Sequence, residues 1–139
     1  MIVNFDITNN SSLNYEGREV DLHNNFDFLG FDYNVAERQV ILRWKKSNGH
    51  WVDRNEVSSL FLIHKTVNYL MVIEQDENST YADDSCLGEI TFVPSTSREL
   101  NDIIVPQSKP SEDDDILYLF ENGQRIRIHC KELELSVSV

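Results

Sequence analysis

Ile116-Leu117-Tyr118-Leu119-Phe120-Glu121-Asn122-Gly123-Gln124-Arg125-Ile126-Arg127-Ile128-His129-Cys130-Lys131 is the stretch whose reading decides the fold. Asn-Gly is the dipeptide preferred by a two-residue type I′ turn, because both central positions need φ > 0. The flanking runs are rich in β-branched and aromatic residues, as strands are. A two-residue turn at Asn122-Gly123 sets Leu117 opposite Ile128 and Leu119 opposite Ile126, an aliphatic face for the core. It sets Tyr118 opposite Arg127 and Phe120 opposite Arg125, an aromatic and cationic face turned outward.

The same period of two runs outward from this hairpin. Ile126, Ile128 and Cys130 are even-numbered, whereas Leu133, Leu135, Val137 and Val139 are odd, so a bulge or bend is expected near Lys131-Glu132. A similar switch separates Phe26 and Phe28 from Phe31 and Tyr33 across Gly30, a residue that marks bulges inside strands. Val40, Leu42 and Trp44 alternate with Gln39, Arg43 and Lys45, which predicts a second hairpin around Asn34 to Arg38. Residues 53–73 admit two readings. Asp53 and Glu56 make a helical capping box ahead of Val57, Leu60, Phe61 and His64, which fit helical spacing, but Val67, Tyr69, Met71 and Ile73 alternate, and strands are favoured. Thr96 and Glu99 form another capping box before Leu100, Ile103 and Ile104, which predicts one short helix, or a single turn of one, before Pro106.

These patterns predict strands near residues 26–34, 39–46, 66–74, 88–93, 116–121, 124–131 and 132–138. The fold class expected is mainly β: an antiparallel sheet or β-sandwich of about seven strands with at most one or two short helices. The 139 residues suit a single domain, 1–139, able to build a core without a metal or disulfide staple. No basic, apolar leader opens the chain, and the stretch Leu60 to Ile73 is broken by His64, Lys65, Thr66 and Asn68, so a cytoplasmic, membrane-free protein is expected. Cys86 and Cys130 then read as reduced core residues.

Charge is the compositional extreme: 12 Lys and Arg against 24 Asp and Glu give −12 at pH 7. Such a field opposes nucleic acid and anionic membranes as partners. Glu74 to Asp115 holds twelve acids and two bases, whereas Arg38 to Lys65 holds six bases and two acids. The acidic stretch reads either as solvated loop or as a docking face for a basic protein.

Motifs of chemistry are absent. His129 and Cys130 adjoin on a strand and point to opposite faces, so they form no dyad; Cys86 with a distant histidine stays open. The sequence holds no Gly-x-Ser-x-Gly elbow, no paired His or Cys at metal spacing and no glycine-rich phosphate loop. Asp113-Asp114-Asp115 lacks the rest of a calcium loop, with Leu117 at the fifth position and no glycine at the sixth, and the loop opened by Asp76, Asn78 and Thr80 has Leu87 where its twelfth position needs glutamate. No catalytic, metal or cofactor residue is assigned on these grounds. Trp44 and Trp51 bracket Lys45 to His50, either as a ligand-presenting tip or as caps on the core edge.

Phe28-Leu29-Gly30-Phe31-Asp32-Tyr33, Val40-Ile41-Leu42-Arg43-Trp44 and Leu60-Phe61-Leu62 with Val67 resemble small uncharacterised β-rich bacterial proteins, some of the toxin-immunity type. The resemblance covers residues 26 to 93, carries no catalytic residues across, and implies a binding role. The function expected is therefore a non-enzymatic immunity or inhibitor protein meeting a basic protein partner, with a homodimer compatible. Its candidate contacts are Glu74, Asp76, Glu77, Asp83, Asp84, Glu112, Asp113, Asp114 and Asp115, with Tyr118, Phe120 and Arg127 as anchors. The alternative is a small-ligand-binding or catalytic β-domain with scattered site residues.

Overall fold

The computed structural model describes residues 1–98 and 107–139. Four short strands open the chain: β1 (Ile2–Val3), β2 (Asp6–Thr8), β3 (Ser12–Tyr15) and β4 (Arg18–Asp21). A single helical turn, α1 (Leu22–Asn25), follows, its first turn held by the Asp21 carboxylate accepting from the Asn24 amide. Next come β5 (Phe26–Asn34), β6 (Gln39–Lys46), β7 (Ser59–Lys65) and β8 (Tyr69–Ile73). A second helical turn, α2 (Tyr81–Asp84), leads into β9 (Leu87–Pro94). The chain closes with β10 (Asp114–Phe120), β11 (Arg125–His129) and β12 (Glu132–Ser138).

The mainly β class is as the alternation implies, with twelve strands among the described residues rather than seven. They form a five-stranded sheet, β1-β12-β7-β6-β5, a four-stranded sheet, β8-β11-β10-β9, and a three-stranded sheet, β2-β3-β4. All pairings are antiparallel except β1 with β12. Residues 53–73 follow the strand reading as β7 and β8. Ser95–Ser97 is a single 3-10 turn, and the rest of the helix expected before Pro106 lies outside the described residues. No helix among the described residues is long and apolar enough to cross a membrane.

The two larger sheets pack face to face. Alternation on β6 and β7 buries Val40, Leu42, Trp44, Leu60, Leu62 and His64 on one side. Facing them from β10 and β11 are Ile116, Tyr118, Phe120, Ile126 and Ile128. The Phe28 ring lies 4.4 Å from Phe120 and 5.0 Å from Trp44, separations favourable to aromatic pairs. A polar contact crosses this interior, with His64 Nε2 and the Tyr118 hydroxyl 2.7 Å apart. Both parity switches have structural counterparts. Leu29 is the extra residue of a bulge at Gly30. Near Lys131 the chain leaves the four-stranded sheet and joins the five-stranded one, which resets the inward parity.

The central hairpin departs from its expected register. Tyr118 pairs with Ile126, Leu117 with Arg127 and Leu119 with Arg125. The turn is a three-residue loop: Gly123 N–H donates to the Phe120 carbonyl at 3.1 Å, and Phe120 N–H to the Gln124 carbonyl at 3.0 Å. Gly123 alone takes a positive φ, +88°, whereas a type I′ turn needs Asn122 there too. Asn122 is committed elsewhere. It is buried, with its amide donating to Asp84 at 3.0 Å and its side-chain oxygen accepting from Gln124 N–H at 2.9 Å. A register change of one residue moves every side chain of one strand to the other face. Tyr118 and Phe120 therefore sit in the core, and Leu117 and Leu119 share the other face of the sheet with Arg127 and Arg125.

Candidate functional site

The acids grouped by sequence divide in space. Glu112 and Asp113, both exposed, precede β10, while residues 74–84 lie beside the turn that ends it. Seven residues of extended strand separate the two groups, about 20 Å at 3.2–3.4 Å per residue. Asp114 and Asp115 are buried and serve the fold. The Asp114 carboxylate accepts from Ser111 N–H at 2.7 Å, and Asp115 holds Arg98 and Arg127 at 2.9 and 2.6 Å. Arg127, also buried, donates besides to the Pro94 carbonyl. Tyr118, Phe120 and Arg127 are thus structural residues and not exposed anchors.

What remains together is one end of the sandwich. Backbone hydrogen bonds tie its segments: Asp76 N–H to the Asn122 carbonyl at 2.8 Å, Glu121 N–H to the Cys86 carbonyl at 2.9 Å, and Phe28 N–H to the Ser85 carbonyl at 2.8 Å. Asp76 also packs on Gly123, where a Cβ would lie 2.9 Å from its carboxylate. Asp84 accepts from Ser79 and Asn122, and those bonds hold its carboxyl below the usual range. Glu74, Asp76, Glu77, Asp83 and Glu121 are exposed around these anchored groups.

Two apolar side chains stand out among the acids. Leu29 is 55% exposed and Tyr81 69% exposed. With Phe28, Gln75, Asp84 and Asn122 they line an open hollow of about 300 Å³. The Gly30 parity switch was a signal for Leu29, since the extra residue of a bulge drops out of the inward alternation. Tyr81 carried none. Trp44 is wholly buried, and Trp51 lies on the surface, donating its indole N–H to the Asn24 carbonyl at 2.8 Å.

The same end gathers His23, Cys86 and Glu121. Cys86 Sγ lies 3.5 Å from His23 Nδ1, which is 4.0 Å from Glu121 Oε1. Cys86 is thus half-buried at this end and not a core residue. Nothing here activates it as a nucleophile. Burial, then the nearby Glu121, Asp83 and Asp27 carboxylates, push its thiol up. Nδ1–H donates a hydrogen bond to the Leu87 carbonyl at 2.8 Å, which leaves that nitrogen no lone pair to serve as base. No family model matches the chain, and no curated protein or solved structure matches it either.

Both cysteines are free, and they differ in accessibility. Cys130 is buried, and desolvation pushes its thiol up to about 12. A disulfide reagent is expected to modify Cys86 in the folded protein, faster as pH rises, and Cys130 only after unfolding. Two thiols reacting alike in the native state contradict this burial.

Proposed function

We propose that the protein is a non-enzymatic binding protein, of the immunity or inhibitor kind, that engages a basic protein partner through the acidic end of its sandwich. The observation that carries this reading is that exposed Leu29 and Tyr81 line one open hollow with the Asp84 carboxylate, at the end of the sandwich that also bears the exposed acids Glu74, Asp76, Glu77 and Asp83. Interfaces draw their energy from a few aromatic or aliphatic anchors, while surrounding charges steer encounter. The acids at 74–84 and Tyr81 supply the two parts on a rigid base. Glu112 and Asp113, at the far end of β10, lie outside this surface.

The test starts by capturing the partner from the native host and then measures association and dissociation rates. Neutralising Glu74, Asp76, Glu77 and Asp83 to their amides is expected to slow association about tenfold at low salt and flatten its salt dependence. Tyr81→Ala is expected to speed dissociation at a cost of about 2 kcal/mol. Glu112→Gln with Asp113→Asn serves as the control and, at physiological ionic strength where the Debye length is about 8 Å, leaves both rates within about twofold. Rates indifferent to the first set, or equally sensitive to the control, overturn the reading.

A further inference from the structure

Three donors of unlike chemistry converge from distant parts of the sequence: His23 Nδ1 on α1, Cys86 Sγ after α2 and Glu121 Oε1 in the β10–β11 turn, all within 4.8 Å of one another. We propose that they form a site for one borderline-soft divalent transition cation of the zinc type. Tetrahedral ligation at zinc–ligand lengths of about 2.0–2.3 Å puts donor atoms about 3.3–3.6 Å apart. The Sγ–Nδ1 separation of 3.5 Å already fits that edge. The Nδ1–Oε1 separation of 4.0 Å needs about half an ångström of closure, within reach of the exposed Glu121 side chain.

The backbone holds the donors ready. Glu121 N–H donates to the Cys86 carbonyl at 2.9 Å, which holds the main chains that carry the two donors beside each other. The Leu87 carbonyl, 2.8 Å from Nδ1 and 3.9 Å from Sγ, offers a fourth oxygen. A thiolate with an imidazole selects a zinc-like ion over magnesium or calcium, which prefer oxygen alone. The carboxylates of Asp27, Asp83 and Glu121 that oppose a bare thiolate favour a cation at the same point. On binding, the Cys86 proton goes to solvent, and the Nδ1 proton is replaced by one on Nε2.

Titration of the full chain with zinc in excess magnesium, which occupies carboxylate-only sites, measures stoichiometry and affinity. Cobalt as a spectroscopic probe reports sulfur ligation through a thiolate-to-metal band in the near ultraviolet. One equivalent and that band are expected. Cys86→Ser abolishes the band and weakens zinc at least about tenfold; His23→Gln weakens zinc likewise, Glu121→Gln weakens it less, and Cys130→Ser changes neither. Melting curves of the metal-free variants establish that each is folded. Absence of the band in the wild type overturns the proposal, as does a folded Cys86→Ser that binds zinc like the wild type. Zinc binding and partner binding are read separately, so either can fail alone.

Discussion

Asp115→Ala is expected to lower the unfolding free energy by about 3–5 kcal/mol, the range for breaking one side of a buried ion pair. The Asp115 carboxylate is wholly buried and accepts from Arg98 through two bonds of 2.9 Å and from Arg127 through one of 2.6 Å. Arg98 is partly exposed and lies 3.6 Å from the centre of the Tyr69 ring, so it can turn to water when its partner goes. Arg127 cannot. Its side chain is 4% exposed, and without Asp115 it keeps the Pro94 carbonyl but no counter-charge. Arg98→Ala should therefore cost much less, because Asp115 retains Arg127. Replacing both members of the buried pair, Asp115→Leu with Arg127→Met, should recover most of the loss. Urea unfolding at fixed pH measures all three. A loss under about 1 kcal/mol for Asp115→Ala shows that water reaches Arg127.

The second large effect is a pH dependence centred on His64. Its ring is wholly buried between the sheets, and desolvation lowers its pKa from 6.5 to about 4 despite an opposing bond to the Val40 carbonyl. Nδ1 donates to that carbonyl at 2.9 Å, which leaves Nε2 to accept the Tyr118 hydroxyl at 2.7 Å. Protonation removes that acceptor and buries a charge. The unfolded chain takes up the proton near pH 6.5 and the folded chain near pH 4, so stability falls as pH drops through this window. The expected loss is about 3 kcal/mol, at 1.36 kcal/mol per pKa unit. His64→Gln can keep a donor for Val40 and an acceptor for Tyr118 without titrating. The difference between wild-type and variant stability, measured from pH 7 to about pH 4, isolates the His64 contribution from the carboxylates. A difference that does not change with pH rules out the buried neutral ring.

The candidate site was only partly legible in the sequence. The acidic stretch was plain, but composition could not divide it. Asp114 and Asp115 turned inward because Arg98, Arg127 and the Ser111 amide wait there, while Glu112 and Asp113 stayed in water. His23, Cys86 and Glu121 share no motif spacing, since each comes from a different part of the chain. Tyr81 stands in a polar run whose pattern gives no direction to any side chain.

Alternation by itself determined the mainly β class, β5, β6 and β12 to the residue, and the two places where parity breaks, at Gly30 and near Lys131. Period-two patterning is written into each strand, because successive side chains must face opposite sides. The short strands β1 to β4 escaped notice because two to four residues hold too little alternation to read. Only the tertiary structure decided the hairpin register. Asn122-Gly123 favours a two-residue turn locally, but the buried Asn122 side chain bonds Asp84 and the Gln124 amide, and its φ stays negative. That contact with α2 carries Tyr118 and Phe120 from the surface to the core, because a turn preference is local while the partner that overrides it lies 38 residues away.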